Sequence, residues 1–441
     1  MPQTQAAGTG CLLRALRAYA VFAIACGTVA VSAGYCASGR AVRRAEAAWA
    51  EAGAPMDAFI ARFPLQADSP AALKLDELTR PLGIPMAGVT PKATPESKAQ
   101  GERLQAVGKA LTACERSGSD RCPPFPADTA SLLQAEAARL DAIETHILDG
   151  GPLLWEQDVA KGLAAPIPHL LGHRYLQNLL LGRASLRIAE GTPQLAEKPL
   201  EASWILNASL AGRPDLISRL IVTAIGGMER GVLRTLPKPR DPWPSRLHQP
   251  LFPQPLRVPF QLEAWNWTRF TTGSWGLFDL SSMEDGVAPR SSALGAVGRW
   301  LTAPYVRLSF AGMSEALLAE SQRLDAERRC DLDVDRHAKE FEASFPRWNI
   351  LGRIATPSLV RSWAALRRAE LDQELTTLVL AARGARAASG QWPTVAVPSA
   401  VCEGVSFEQS AGADGTLTIR TDSMPFPHDA ADGRWSIQLH P

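Results

Sequence analysis

Two short stretches place reactive side chains at spacings that suit chemistry. In HLLGH, His169 and His173 stand one helical turn apart, a separation at which two imidazoles can share a divalent metal. A metalloprotease helix of this kind carries a glutamate directly after its first histidine as general base. Leu170 occupies that place, and no third ligand stands out. In DLDVDRHAKEFE, residues 331–342, the side chains Asp331, Asp333, Asp335 and Glu342 fall at the first, third, fifth and twelfth places of a calcium loop. The sixth place of such a loop turns sharply and is normally glycine, whereas Arg336 stands here. The competing expectation is an acidic helix start, which the helix dipole favours. No metal and no cofactor is assigned.

Other chemistry leaves no local trace. The chain has no Gly-x-Ser-x-Gly elbow, no glycine-rich phosphate loop, no Ser-x-x-Lys dyad and no Cys-x-x-Cys. Its seven histidines are scattered, so a serine–histidine–aspartate site could only be assembled in space, and no catalytic residue is named. The cysteines say more. Cys11, Cys26 and Cys36 lie in or beside an apolar opening, which leaves Cys114, Cys122, Cys330 and Cys402 for the body. An even number in an exported domain invites pairing. We expect Cys114 with Cys122, because CERSGSDRC has a Gly-Ser centre that lets the chain turn back. Cys330 with Cys402 would then staple the tail to the body.

The elements that must position these residues begin with AYAVFAIACGTVAVSAGYCASGR, residues 18–40. No residue between Arg17 and Arg40 is formally charged, and about 20 mostly apolar residues suffice to span a bilayer. Residues 18–39 are therefore expected as a single-pass transmembrane anchor, although Ala, Gly, Ser and Thr fill much of the run. The rivals are a cleaved signal peptide, with Arg14 and Arg17 as its basic region and Val31-Ser32-Ala33 as its cleavage site, and a buried helix. Arginines flank the run on both sides. Long domains translocate largely regardless of such charges. The expectation is a short cytoplasmic N-terminus, residues 1–17, and a body in the periplasm of a bacterial inner membrane.

Beyond the opening the chain reads as mainly α. Residues 127–151 carry leucine and isoleucine at helical spacing and stop at Gly150-Gly151. Residues 168–191 and 193–214 read as a helical hairpin, 215–236 as a third helix, and 310–329, 331–345 and 358–388 as later ones. The hairpin echoes a tetratricopeptide unit, but no second copy follows 34 residues on. Eight prolines within residues 237–259 predict extended chain, and the tryptophans of EAWNWTRFTTGSW predict a rigid strap glued across the helices. After Gly390, GVSFEQSAGADGTLTIRTD alternates, turns at Asp414-Gly415 and alternates again, which predicts a hairpin. RWSIQL, residues 434–439, adds a third strand. The expected segments are thus a helical body over 40–236, a Pro/Trp-rich connection over 237–280, a second helical segment over 281–390 and a β-rich tail over 391–441.

NILGRIATPSL, residues 349–359, the helix after it and ASGQWP, residues 388–393, carry a resemblance. Through Asn349, Gly352, Pro357, Gly390, Trp392 and Pro393 the last hundred or so residues are similar to uncharacterised, membrane-anchored bacterial proteins. Those proteins have an Asn-x-x-Gly stretch and a helix closing in Gly-x-Tyr/Trp-Pro before a short β tail. The long helix and tail also resemble type II secretion pseudopilins. The resemblance implies membrane attachment and no particular activity. Pilin helices carry an early glutamate, and residues 18–39 contain no acid.

Composition sets the remaining bounds. The chain has 441 residues with 46 Lys plus Arg against 45 Asp plus Glu, so the usual electrostatic reason to expect nucleic acid is missing, since a duplex binder needs a clustered positive field. The expectation is a non-enzymatic envelope scaffold or interaction protein, held to the membrane by residues 18–39 and working with a protein partner. The alternatives are an exported hydrolase with a site assembled from scattered residues, and a calcium-responsive module at 331–342.

Overall fold

The computed structural model describes residues 6–52, 55–87, 95–238, 242–272, 293–355, 357–423, 425–426 and 435–440. It is mainly helical, with a small four-stranded antiparallel sheet near the C-terminus. The described residues form two compact units, one from 1–59, 263–320 and 345–355, the other from 60–262, 321–344 and 356–441. These units interleave along the chain and so cut across the linear segments expected above.

In the first unit, helix α1 covers Ala6–Glu51 and runs beyond residues 18–39 at both ends. Among the described residues no helix is long and apolar enough to cross a membrane, so the expected transmembrane anchor is not met. The small residues that dilute this stretch form a packing stripe: Gly34, Ser38, Ala41 and Ala45 recur every three or four residues, on one helical face. Ala41 and Ala45 are buried with Ala311 of a long helix, Ala293–Ala326, and a Cβ on Gly34 would lie 3.1 Å from Pro304 Cβ. Pro304 argues locally against the first half of this helix, before the expected 310–329, because it lacks the N–H that would bond to the carbonyl of Trp300. The Tyr35 hydroxyl donates to that carbonyl instead, at 3.1 Å. Contacts step forward together along both helices, from Gly34–Pro304 to Arg44–Glu315, so the two run parallel.

The same unit contains most of Arg257–Thr272 and the short helix Ile350–Ala355. Asn349 caps the latter, accepting from Gly352 N–H at 2.9 Å and donating to Ser309 O at 3.3 Å. A Cβ on Gly352 would lie 2.8 Å from Phe345. The Asn-x-x-Gly stretch is thus a cap and a close approach. Residues 237–259 are not the continuous extended chain expected. They contain the helix Trp243–Leu247 and open Arg257–Thr272, with Pro244 and Pro259 in the first turns, where no N–H is required. Trp265 and Trp267 lie inside the second of these helices, Trp267 stacked on Phe310 at 5.0 Å, while Trp275 falls outside the described residues.

In chain order the helices are α1; α2, Met56–Ile60; α3, Pro70–Thr79; α4, Pro95–Glu115; α5, Ala127–Ala135; and α6, Ala137–Asp149. Then come α7, Leu170–Ala189; α8, Pro193–Ala211; α9, Leu216–Thr235; α10, Trp243–Leu247; and α11, Arg257–Thr272. The last are α12, Ala293–Ala326; α13, Val334–Ser344; α14, Ile350–Ala355; and α15, Pro357–Ser389. The single helix expected over 127–151 breaks at Glu136, whose backbone leaves the helical region.

The second unit is built around α7, α8 and α9, with α9 packed also on α4 and α15. Asp215 caps α9 by accepting from Ser218 N–H at 2.7 Å, and Ser69 caps α3 in the same way through Ala72 N–H at 3.1 Å. The sheet runs β1 (Val397–Pro398), β2 (Ser406–Ala411), β3 (Leu417–Thr421), β4 (Ser436–Leu439), each antiparallel to the next. Phe407, Leu417, Ile419, Ile437 and Leu439 form its buried face. Gly415, at φ +79°, makes the β2–β3 turn.

Cys114 is bonded to Cys122 and Cys330 to Cys402, with Cα separations of 4.5 and 5.5 Å. The first closes a short loop, so Cys114→Ser with Cys122→Ser should lower stability by about 2–3 kcal/mol, read as a shifted denaturation midpoint. No shift in the double variant would show that the loop is held by its other contacts.

Candidate functional site

The disulfide loop after α4 forms one wall of a cleft in the second unit. Ser117, Gly118 and Ser119 turn the chain back, and Asp120 N–H then donates to Gln438 O at 3.0 Å while Gln438 N–H donates to Gly118 O at 2.9 Å. The loop therefore extends the sheet beyond β4. Pro123 and Pro124 keep the following chain extended. The opposite wall is the last turns of α15. Gly390, at φ +75°, ends that helix by donating to Arg386 O at 2.7 Å, and the reversed chain brings Trp392 over Arg386. The Trp392 indole donates to Gly415 O at 2.7 Å, and the Arg386 guanidinium lies 4.3 Å from the ring centroid. Between the walls lies a space of about 630 Å³, floored by Ser185, Ile188 and Ala189 of α7 and by Pro237.

Charge converges at its base. Asp120 accepts from Arg383 Nη2 at 3.0 Å, from His440 N–H at 3.2 Å, and shares a hydrogen bond with His440 Nδ1 at 2.7 Å. Arg383 also donates to Leu236 O at 2.7 Å, and burial pushes its guanidinium pKa below the usual value. One carboxylate thus serves one arginine and one imidazole. Arg121 and Arg386 line the same cleft, and neither has an ion-pair partner among the described residues.

No family model, curated protein or solved structure matches this chain.

The residues singled out by spacing do not form a second centre. His169 Nδ1 accepts from Gly172 N–H at 2.9 Å and so caps α7. His173 is fully buried with both ring nitrogens unpartnered, its ring 4.5 Å from that of Trp155. The α7 N-terminus abuts Pro85 so closely that only glycine fits at 172, where a Cβ would lie 1.7 Å from Pro85 O.

The calcium loop is not formed either, because α13 begins at Val334 and turns residues 334–344 into helix. Asp333 caps it by accepting from Arg336 N–H at 2.9 Å, Asp331 pairs with Arg329 at 2.5 Å, and Asp335 pairs with Arg361 at 2.9 Å. Glu342 lies two turns on, in the last turn of the helix. Among the described residues no group of three or more His, Cys, Asp or Glu could hold a metal ion.

A second cavity of about 470 Å³ is lined by Trp204, Asn207, Glu229 and Arg230. Burial raises the pKa of Glu229, against hydrogen bonds from Ser203 at 2.8 Å and Asn207 at 3.0 Å and the charge of Arg230. A third of about 420 Å³ contains Glu370, also raised by burial and opposed by Arg367. In both, the acid is bonded to its own framework. The first cleft differs in presenting unpaired cations.

Proposed function

We propose that this chain is an extracytoplasmic scaffold or interaction protein of the bacterial envelope, attached to lipid through the first unit and offering the cleft of the second to a partner. The observation that carries the reading is an apolar end on the first unit. On α1, Tyr19, Val21, Phe22 and Val29 are each about two-thirds exposed or more, inside the uncharged run. On α12, Val297, Trp300 and Leu301 are exposed. Because the two helices run parallel, these side chains lie toward one end of the pair. Exposed apolar surface of this kind costs about 25 cal/mol per Å² in water, which burial in lipid removes. The two disulfides support the extracytoplasmic side, since such bonds persist in oxidising compartments.

The full chain is expected to float with phosphatidylethanolamine/phosphatidylglycerol vesicles. The variant Val21→Asp, Phe22→Asp, Val29→Asp should stay at the bottom of the gradient with unchanged helical signal. Wild-type protein that fails to float would remove the lipid reading. Thiol counting on unreduced, denatured protein from the native host should find the four body cysteines oxidised, and four free thiols there would remove the extracytoplasmic one.

One observation favours an exported hydrolase as the second reading. Asp120 holds the His440 imidazole through Nδ1, and Ser185 lines the same cleft. That is a general base with its orienting acid, in a cleft whose lining also includes a hydroxyl. Labelling of Ser185 by a fluorophosphonate, lost in His440→Ala, would support it; an unlabelled protein would not.

A further inference from the structure

We propose that the cleft beside Trp392 binds an oxyanion that presents two oxygens side by side, carboxylate or phosphate, carried on an aromatic or branched apolar body. The assignment rests on the reading of this cleft as the binding site. The charges set the sign. Asp120 is already shared between Arg383 and His440, at 3.0 and 2.7 Å, so it does not offset the other cations of the lining. Arg386 and Arg121 remain, and among the described residues neither is paired with a carboxylate.

The type of cation sets the shape of the anion. A guanidinium presents parallel N–H donors that match the two oxygens of a carboxylate or phosphate, whereas an ammonium acts as a point charge. Arg386 is also oriented in advance. Its Cζ lies 4.3 Å from the Trp392 ring centroid, and that ring is fixed by its own hydrogen bond to Gly415 O. A cation–π contact uses the charge of the guanidinium and none of its N–H donors as a carboxylate would, so those donors stay available to a ligand. Little side-chain freedom is then lost on binding.

The rest of the lining sets the body. Phe125, Ile188, Pro237 and Ala387 offer apolar surface, and a space of about 630 Å³ lies within the range of small-ligand sites. An inorganic ion would leave that surface wet, whereas an apolar acid covers it while its oxygens meet Arg386.

The test is calorimetric titration of the full chain with phenyl phosphate, 3-phenylpropionate, 3-phenylpropanol and phenylethylamine. Saturable binding of one or both anions is expected, at least tenfold tighter than the alcohol, with no binding of the amine and with affinity falling as salt rises. The better anion identifies phosphate or carboxylate as the natural head group. Arg386→Ala should weaken the anion at least tenfold, Arg386→Lys by less, and Arg121→Ala measurably, all with unchanged helical signal. Equal affinity for anion and alcohol, or full affinity in Arg386→Ala, would overturn the assignment. Anion binding without vesicle flotation would remove the lipid reading and keep the cleft; flotation without anion binding would do the reverse.

Discussion

Replacing Asp372 by asparagine should destabilise the protein by about 3–5 kcal/mol, the usual cost of leaving a buried charge without its partner. Asp372 of α15 faces two arginines of α9, with Arg230 Nε at 2.5 Å and Arg234 Nη1 at 2.7 Å. All three side chains are at most 3% exposed. Arg234 also donates to Thr376 at 3.1 Å and to Glu115 O at 3.1 Å, which ties α4, α9 and α15 to one point. Asparagine keeps the shape and removes the charge, so two guanidinium groups would remain in a buried site with one counter-ion gone. Glu229, next to Arg230, already has hydrogen bonds from Ser203 and Asn207, and burial holds its pKa up, so its ionisation would itself be costly. A combined Arg230→Met, Arg234→Met, Asp372→Leu variant removes the charges together and should recover most of the loss. Denaturation followed by far-ultraviolet circular dichroism reads both. A loss below about 1 kcal/mol in the single variant would show that water reaches the cluster.

Nothing in the sequence marked this cluster, whose partners lie 142 and 138 residues apart. Helices α7, α8 and α9 could be read because their apolar positions recur at helical spacing and because Pro193 and Asp215 mark their starts. The tail hairpin could be read from Asp414-Gly415. Helix α11 and the first half of α12 could not, because Pro259 and Pro304 argue locally against helix, whereas residues 310–329 read as helix from their apolar spacing. Only the tertiary structure shows that one occupies a first turn and that Tyr35 satisfies the carbonyl left by the other. The uncharged run of α1 was visible, but the partner for its small-residue face lies more than 250 residues away. The cleft was legible only in fragments. The spacing of Cys114 and Cys122 marked a tight loop, and Gly390-x-Trp392-Pro393 marked a helix end. Nothing local joins Asp120 to Arg383 and His440, which are 263 and 320 residues along the chain.

The buried His173 should make stability fall with pH in a window that one substitution removes. Burial, with smaller contributions from the positive charges of Arg213 and His169, pushes its pKa from 6.5 to about 3. Above pH 6.5 the ring is neutral in both folded and unfolded chains and contributes no pH dependence. Below it the unfolded chain takes up a proton that the folded one refuses, so this site loses stability progressively as pH falls toward 3. The full loss is on the order of 5 kcal/mol, of which about 2–3 kcal/mol should have accrued by pH 4.5. His173→Leu abolishes this linkage. It also removes two ring nitrogens that have no hydrogen-bond partner, so at pH 7 the variant should be as stable as the parent or about 1 kcal/mol more stable. Carboxylates such as Asp76 titrate in both proteins. Burial would raise the Asp76 pKa, but hydrogen bonds from Met86, Ala87 and Arg80 outweigh that and hold it low, so its contribution cancels in the difference. Denaturant titrations of both proteins at pH 7 and pH 4.5 therefore isolate the histidine. The variant should lead by about 2–3 kcal/mol more at pH 4.5 than at pH 7. An equal difference at both values would mean that the folded protein accepts the proton, and that the ring beside Trp155 reaches water.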